Sequence, residues 1–354
     1  MNRNPYRGLP EASYWRTGIV KQSPLEPKSL YRKKFIISPE DAIAAAGSCF
    51  AQHITRNMRA RSGFKVMDCE PAPSGIALSE EDMSNYSYKQ YTCRYGNLYT
   101  VRQFVQLIEE AFENRENPEP VWERDGRFYD AMRPAVEPNG FCSVSEVLSL
   151  REEHLLAVQK MVKSMDVLVF TLGLTEAWSN NDGWVFPTAP GTIAGDYNED
   201  RYVFNNFDFE QIKSDMDRLL ALLEKYNESS NFRMLLTVSP VPLTATYENE
   251  HILLAATYSK SVLRSIAGYY SKKFNFIDYF PSYELITSHW SRGVFFKDNL
   301  REVAPEGVSI VMDTFFKEHA EITEEHPTVT SKLKLEELED GVACEDALLE
   351  AFVD

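Results

Sequence analysis

Ser48 lies within Ala46-Gly47-Ser48-Cys49-Phe50-Ala51, a small-residue turn between a short apolar run and an amphipathic segment. A serine on a sharp strand-to-helix turn is where several hydrolase folds present their nucleophile. Residues 42–46 carry no charge and are short, as a strand buried on both faces should be. Gly47 accepts backbone angles that a β-carbon resists, so the chain can reverse tightly there. Ser48 then falls at or just before the first helical turn, whose outward N–H groups stabilise developing negative charge. Serine is also a preferred N-cap, so a purely structural reading fits the same segment. Cys49, next to it, would need an acidified and exposed thiolate to act as a nucleophile. Packing beside the turn is its simpler role.

The elements that position this turn alternate along the chain. Helical spacing of Phe104, Val105, Ile108, Ala111 and Phe112 predicts a helix over 101–114. Asp125-Gly126 centres a hairpin over 122–131. Ser143 with Glu146 predicts a capping box opening a long helix through Leu155 and Val162. Residues 166–172 and 232–238 read as central buried strands, and Pro240 and Pro242 end the second. Residues 64–67 and 274–277 read as further strands, and Trp184 to Phe186 as a hairpin arm. Helices are expected over 209–226, 250–272 and 305–319. Strands separated by helices of this length imply a mostly parallel sheet covered on both faces. Such sheets bind ligands at the carboxyl ends of their strands, where Ser48, the Gly173 loop and the Ser239 loop all fall.

Composition narrows the partners. Among 354 residues, 53 acidic against 37 basic side chains leave a formal charge of −16. Duplex nucleic acid and anionic membrane surfaces would be repelled, so neither is expected as a partner. The five cysteines are scattered without a CxxC pair, which suits a reducing compartment and gives no zinc signature. No metal or other cofactor is expected. Asn2-Arg3-Asn4-Pro5-Tyr6-Arg7 lacks the apolar core of a signal peptide, and no run approaches the ~18 apolar residues of a membrane span. A cytoplasmic protein without membrane insertion is the expectation. Residues 1–40 read as an arm packed on a core of 41–320, and 321–354 as an acidic, partly helical tail. Within that tail, residues 335–340 suggest a short surface helix or a mobile segment, with a solvated face the simpler role than a partner contact.

Gly47-Ser48-Cys49-Phe50-Ala51 resembles the pentapeptide that gives the GSCFA family its name. The resemblance continues through Arg94-Tyr95-Gly96-Asn97-Leu98-Tyr99-Thr100 and Phe170-Thr171-Leu172-Gly173-Leu174-Thr175-Glu176-Ala177-Trp178. It extends to Thr237-Val238-Ser239-Pro240-Val241-Pro242-Leu243, Tyr258-Ser259-Lys260-Ser261-Val262-Leu263-Arg264 and Tyr279-Phe280-Pro281-Ser282-Tyr283-Glu284. That family is grouped with the SGNH, or GDSL-like, hydrolases. The resemblance implies an α/β, flavodoxin-like three-layer sandwich with a mostly parallel central sheet. It also implies ester chemistry, hydrolysis or acyl transfer, on a small-molecule or carbohydrate ester. An SGNH-like protein that binds a glycan or anionic ligand without turnover is the alternative.

Carried over by position, Ser48 is the nucleophile, and its amide, Gly96 and Thr175 are the oxyanion donors. Thr175 stands where the clan has asparagine, and a hydroxyl still donates one hydrogen bond. Asn97, Glu176 and Arg301 are the candidate substrate contacts. The clan's Asp-x-x-His is replaced by Asp298-Asn299-Leu300-Arg301, which keeps the acid and loses the base. A guanidinium stays protonated and cannot deprotonate Ser48. Arg301 could instead pair with Asp298 or Glu176, or clamp an anionic substrate group. His289, in the loop before Asp298, is the preferred substitute base, with His251 next. His53 should face roughly 140° away from Ser48 around its helix. His154, His319 and His326 read as structural or solvated. Tyr95, Tyr99, Trp178, Trp184 and Trp290 flank the pocket loops, where aromatic rings can stack on sugars or simply pack.

Overall fold

Runs of aliphatic residues with no side exposed to water build the central sheet. Its strands are β1 (Ile43–Gly47), β4 (Val167–Leu172), β8 (Arg233–Val238) and β9 (Ile277–Tyr279), paired in that order and all parallel. The computed structural model describes residues 4–60, 64–319 and 345–352. Between β1 and β4 lie α1 (Phe50–Ala60), α2 (Glu80–Asn85), α3 (Val101–Glu113), the hairpin β2 (Val121–Arg124) and β3 (Arg127–Asp130), and α4 (Val144–Ser164). After β4 come β5 (Glu176–Asn180), β6 (Val185–Phe186), β7 (Tyr202–Asn206) and α5 (Phe209–Tyr226). α6 (Ile252–Lys273) links β8 to β9, and α7 (Ser282–Thr287) and α8 (Pro305–His319) follow.

Alternation along β4 sorts the two faces. Leu168 and Phe170 pack with Phe104, Val158, Leu219 and Leu263, from α3, α4, α5 and α6. Val167 and Val169 pack with Ile54, Leu285 and Phe315, from α1, α7 and α8. Helices therefore cover both faces of a parallel sheet, the layering that the sequence implies.

Several local features depart from the sequence reading. Residues 64–67 contribute one bridge, Val66 to Ile43, rather than a strand. The last strand falls at β9, a few residues later than expected. β5 pairs antiparallel with both β6 and β7, a second small sheet that the alternation pattern did not reveal. Ser143 caps α4 by accepting from the Glu146 amide, while the Glu146 carboxylate accepts from Cys142, so the box is only half closed. The helix expected over 335–340 lies outside the described residues. Glu345–Phe352 forms a short 3₁₀ helix. The N-terminal arm is tied down by Tyr31, whose hydroxyl donates to Asp278 at 3.0 Å, and by the Ile37 amide, which donates to His319 Nδ1 at 3.2 Å.

Gly47 is required by geometry. Its φ of +129° is a region that side chains resist, and an added β-carbon would stand 2.3 Å from the Thr171 carbonyl oxygen. We expect Gly47→Ala to destabilise the fold by roughly 3 kcal/mol in chemical denaturation. A loss below about 1 kcal/mol would show that β1 and β4 can separate at little cost.

Candidate active site

Ser48 stays in the ladder for one residue beyond β1, because its amide donates to the Thr171 carbonyl at 3.1 Å. α1 then begins at Phe50, so the serine sits where sheet becomes helix. The Leu98 amide donates to the Gly47 carbonyl at 2.9 Å and draws the 91–100 loop against the turn. Ser48 is 2% exposed, and its Oγ is buried without a hydrogen-bond partner. A buried hydroxyl left in that state is costly unless its site serves something else.

The hydroxyl borders a hollow of about 10 Å³, whose lining includes Cys49, Gly173, Ser239, Lys260 and Arg301. That volume is roughly one water molecule. Gly173 permits the close approach: a β-carbon there would stand 2.8 Å from the Ser48 Cβ. Lys260 enters from α6, is almost wholly buried, and donates from Nζ to the Gly173 carbonyl at 2.8 Å. Lys260 did not stand out as a functional residue in the sequence. Its signal was a charged side chain on a buried helical stripe, with Ala256, Leu263 and Ala267 at helical spacing around it.

The expected site residues divide into those the fold brings to the hollow and those it does not. Ser48 and Arg301 line it together. Asp298 is on an exposed turn and does not. The His289 ring stacks on Trp15 at 5.2 Å, which holds it against the N-terminal arm. His251 caps α6, its Nδ1 accepting from the Leu253 amide. His53 packs against Phe50, and its pKa is lowered to about 4 by burial and by Arg56 and Lys297. Among the described residues no histidine lines the hollow.

Two of the three expected oxyanion donors are occupied. The Ser48 amide serves the sheet, as above. Thr175 is fully buried, with its hydroxyl donating to Asn206 Oδ1 at 2.7 Å and its amide to Ser259 Oγ at 3.1 Å. It fastens the start of β5 to β7 and α6. At the start of α1 the Ala51 amide donates to the Ser48 carbonyl at 2.8 Å and the Gln52 amide to the Cys49 carbonyl at 3.0 Å, and Cys49 borders the hollow.

Gly96 and Asn97 belong to a buried polar network under the turn. Tyr91 donates to the Ser48 carbonyl at 3.0 Å and also meets Asn97 Oδ1, which accepts from Gln52 Nε2 at 3.2 Å. The C-terminal segment completes it. Asn97 Nδ2 donates to Glu345 Oε2, the Tyr99 hydroxyl donates to the same oxygen at 2.9 Å, and Glu345 Oε1 lies against Gly96. Burial raises the Glu345 pKa, with the Asn97 and Tyr99 bonds working against that rise. Glu176 accepts from the Thr246 hydroxyl at 2.7 Å and lines a second, larger cavity of about 730 Å³. Tyr99 and Leu174 line both spaces.

The chain is thus an α/β sandwich with a serine-centred polar hollow at the carboxyl ends of its sheet. It belongs to the GSCFA family, whose family model matches residues 42–315. No curated protein matches it in sequence. Among the described residues no helix is long and apolar enough to cross a membrane.

Proposed function

We propose that the protein performs serine-dependent ester chemistry, hydrolysing an ester or passing its acyl group to another hydroxyl. The observation that carries this reading is the Ser48 hydroxyl, buried without a partner on the wall it shares with Lys260 and Arg301. Ser48 Oγ attacks the ester carbonyl while Lys260 Nζ, as the neutral amine, takes the hydroxyl proton. Arg301 stabilises the oxyanion. Collapse of the tetrahedral species expels the alcohol, protonated by Lys260, and leaves an acyl-serine. Water or a sugar hydroxyl then attacks the acyl group and gives its proton to Lys260, which passes it to the departing Ser48 oxygen and so restores both the hydroxyl and the neutral amine. The position of Arg301, where the clan's histidine stands, becomes that of a fixed positive charge rather than a base. An acylated carbohydrate as substrate rests on the family's resemblance to SGNH enzymes.

Binding without turnover is favoured by one specific observation: the Ser48 amide and Thr175 hydroxyl are both engaged elsewhere. Hydrolysis of a chromogenic acetate ester separates the two readings. The expected result is turnover that disappears in Ser48→Ala, with circular dichroism unchanged. Equal rates in the two proteins would contradict ester chemistry at Ser48.

A further inference from the structure

The large cavity beside the hollow is poorly equipped for a polyol. Thr246 donates to Glu176, and Gln103 Oε1 accepts from the Thr100 amide at 2.9 Å, so these three side chains bond to their own neighbours. Its aromatic rings pack edge to face on one another: Trp178 with Tyr247 at 4.7 Å, and Trp178 with Tyr197 at 5.2 Å. Sugar sites instead present open ring faces beside a fan of unengaged donors and acceptors. Apart from the Thr188 hydroxyl, which is buried without a partner, the rest of the lining is mostly apolar surface enclosing about 730 Å³, within the range that buries most of a drug-sized ligand. The chain's own C-terminal helix supplies part of the wall through Leu349 and Phe352, and Glu345 docks that helix on Asn97 and Tyr99.

We propose that this cavity binds the unbranched alkyl part of a medium-chain acyl group, with the C-terminal helix as one wall. Tyr99 and Leu174, common to both spaces, place the end of such a chain next to Ser48. Calling the chain acyl rests on the ester reading above, whereas its apolar character rests on the cavity alone.

The test measures binding of neutral 2-alkanones of increasing length to full-length Ser48→Ala protein by calorimetry, so that no turnover is needed. Each added methylene should tighten binding roughly threefold until the cavity is filled. Ala245→Trp, which fills the cavity from an exposed lining position, and Phe352→Asp, which puts a charge in its wall, should each weaken the longer ligands by about tenfold or more. Absent binding, affinity independent of length, or equal affinity in folded Ala245→Trp and Phe352→Asp would overturn the proposal. Tighter binding of a neutral disaccharide such as cellobiose would overturn it as well. Alkanone binding without esterase turnover in the wild type would defeat the ester reading and leave the apolar cavity standing. Turnover of short esters without alkanone binding would do the reverse.

Discussion

Lys260→Met should lower ester turnover by ~10²–10⁴, the usual contribution of a positioned general base. Ser48 Oγ borders the hollow, no histidine among the described residues does, and Arg301 cannot give up a proton. Methionine keeps much of the buried stem of Lys260 and removes the amine. Because Lys260 also donates to the Gly173 carbonyl, a loss of activity could come from a displaced loop. Lys260→Arg tells the two apart. It keeps a donor and a charge near Gly173 but cannot accept a proton, so kcat should stay low with KM nearly unchanged. A lysine accepts a proton only as the amine, so wild-type kcat should rise with pH and that limb should vanish in both variants. Full activity in Lys260→Arg would assign the residue a structural role.

Stability should fall steeply between pH 6.5 and pH 4, on the order of 5 kcal/mol from two fully buried histidines folded in the neutral form, with the half-buried His53 adding to the fall. His154 is wholly buried, its Nδ1 lies 2.7 Å from Glu70, and its Nε2 has no partner for a proton. Burial and the neighbouring Arg133 lower its pKa from 6.5 to about 4, although Glu70 pulls the other way. His319 accepts from the Ile37 amide at Nδ1, so its Nε2 carries the hydrogen that faces the Tyr31 hydroxyl. Protonating Nδ1 would set two donors against each other. Burial, with Lys33 and Arg233, lowers this pKa to about 3.

Both folded values lie below the unfolded value near 6.5. The contribution is therefore complete above pH 6.5 and is lost as pH falls, by about 1.4 kcal/mol per pH unit for each proton taken up on unfolding. Asp130 and Glu70, held below the usual carboxylate range by buried arginine and histidine neighbours, act in the same direction at lower pH. Urea unfolding across this range should give a falling free energy in the wild type and a shallower fall in His319→Gln. A flat profile would contradict the neutral burial of these rings.

Much of the frame was legible because each signal was local. The uncharged run before Gly47, the helical spacing from Phe104 to Phe112 and the apolar strands at Val167 and Met234 each carry their own pattern. β5 escaped because Trp178 finds its partners Phe186 and Phe204 only after two further turns of chain. Of the candidate site, the sequence placed Ser48 and Arg301 at one hollow, and the rest was illegible where contacts are long-range. His289 looked available in its loop, yet Trp15 of the arm stacks on it. Glu345 read as part of a solvated acidic tail, but Asn97 and Tyr99, far away in sequence, receive its carboxylate. His154 and His319, read as structural or solvated residues on helix surfaces or in the tail, are core groups because Glu70 and Tyr31 offer them partners.

Everything functional in this account depends on Ser48 being a reactive hydroxyl. The most direct measurement is incubation with a fluorophosphonate followed by peptide mass spectrometry. One adduct is expected, on the peptide carrying Gly47-Ser48-Cys49, formed more slowly in Lys260→Met. A protein left unmodified under conditions that label a serine esterase, or modified only at other residues, would contradict it.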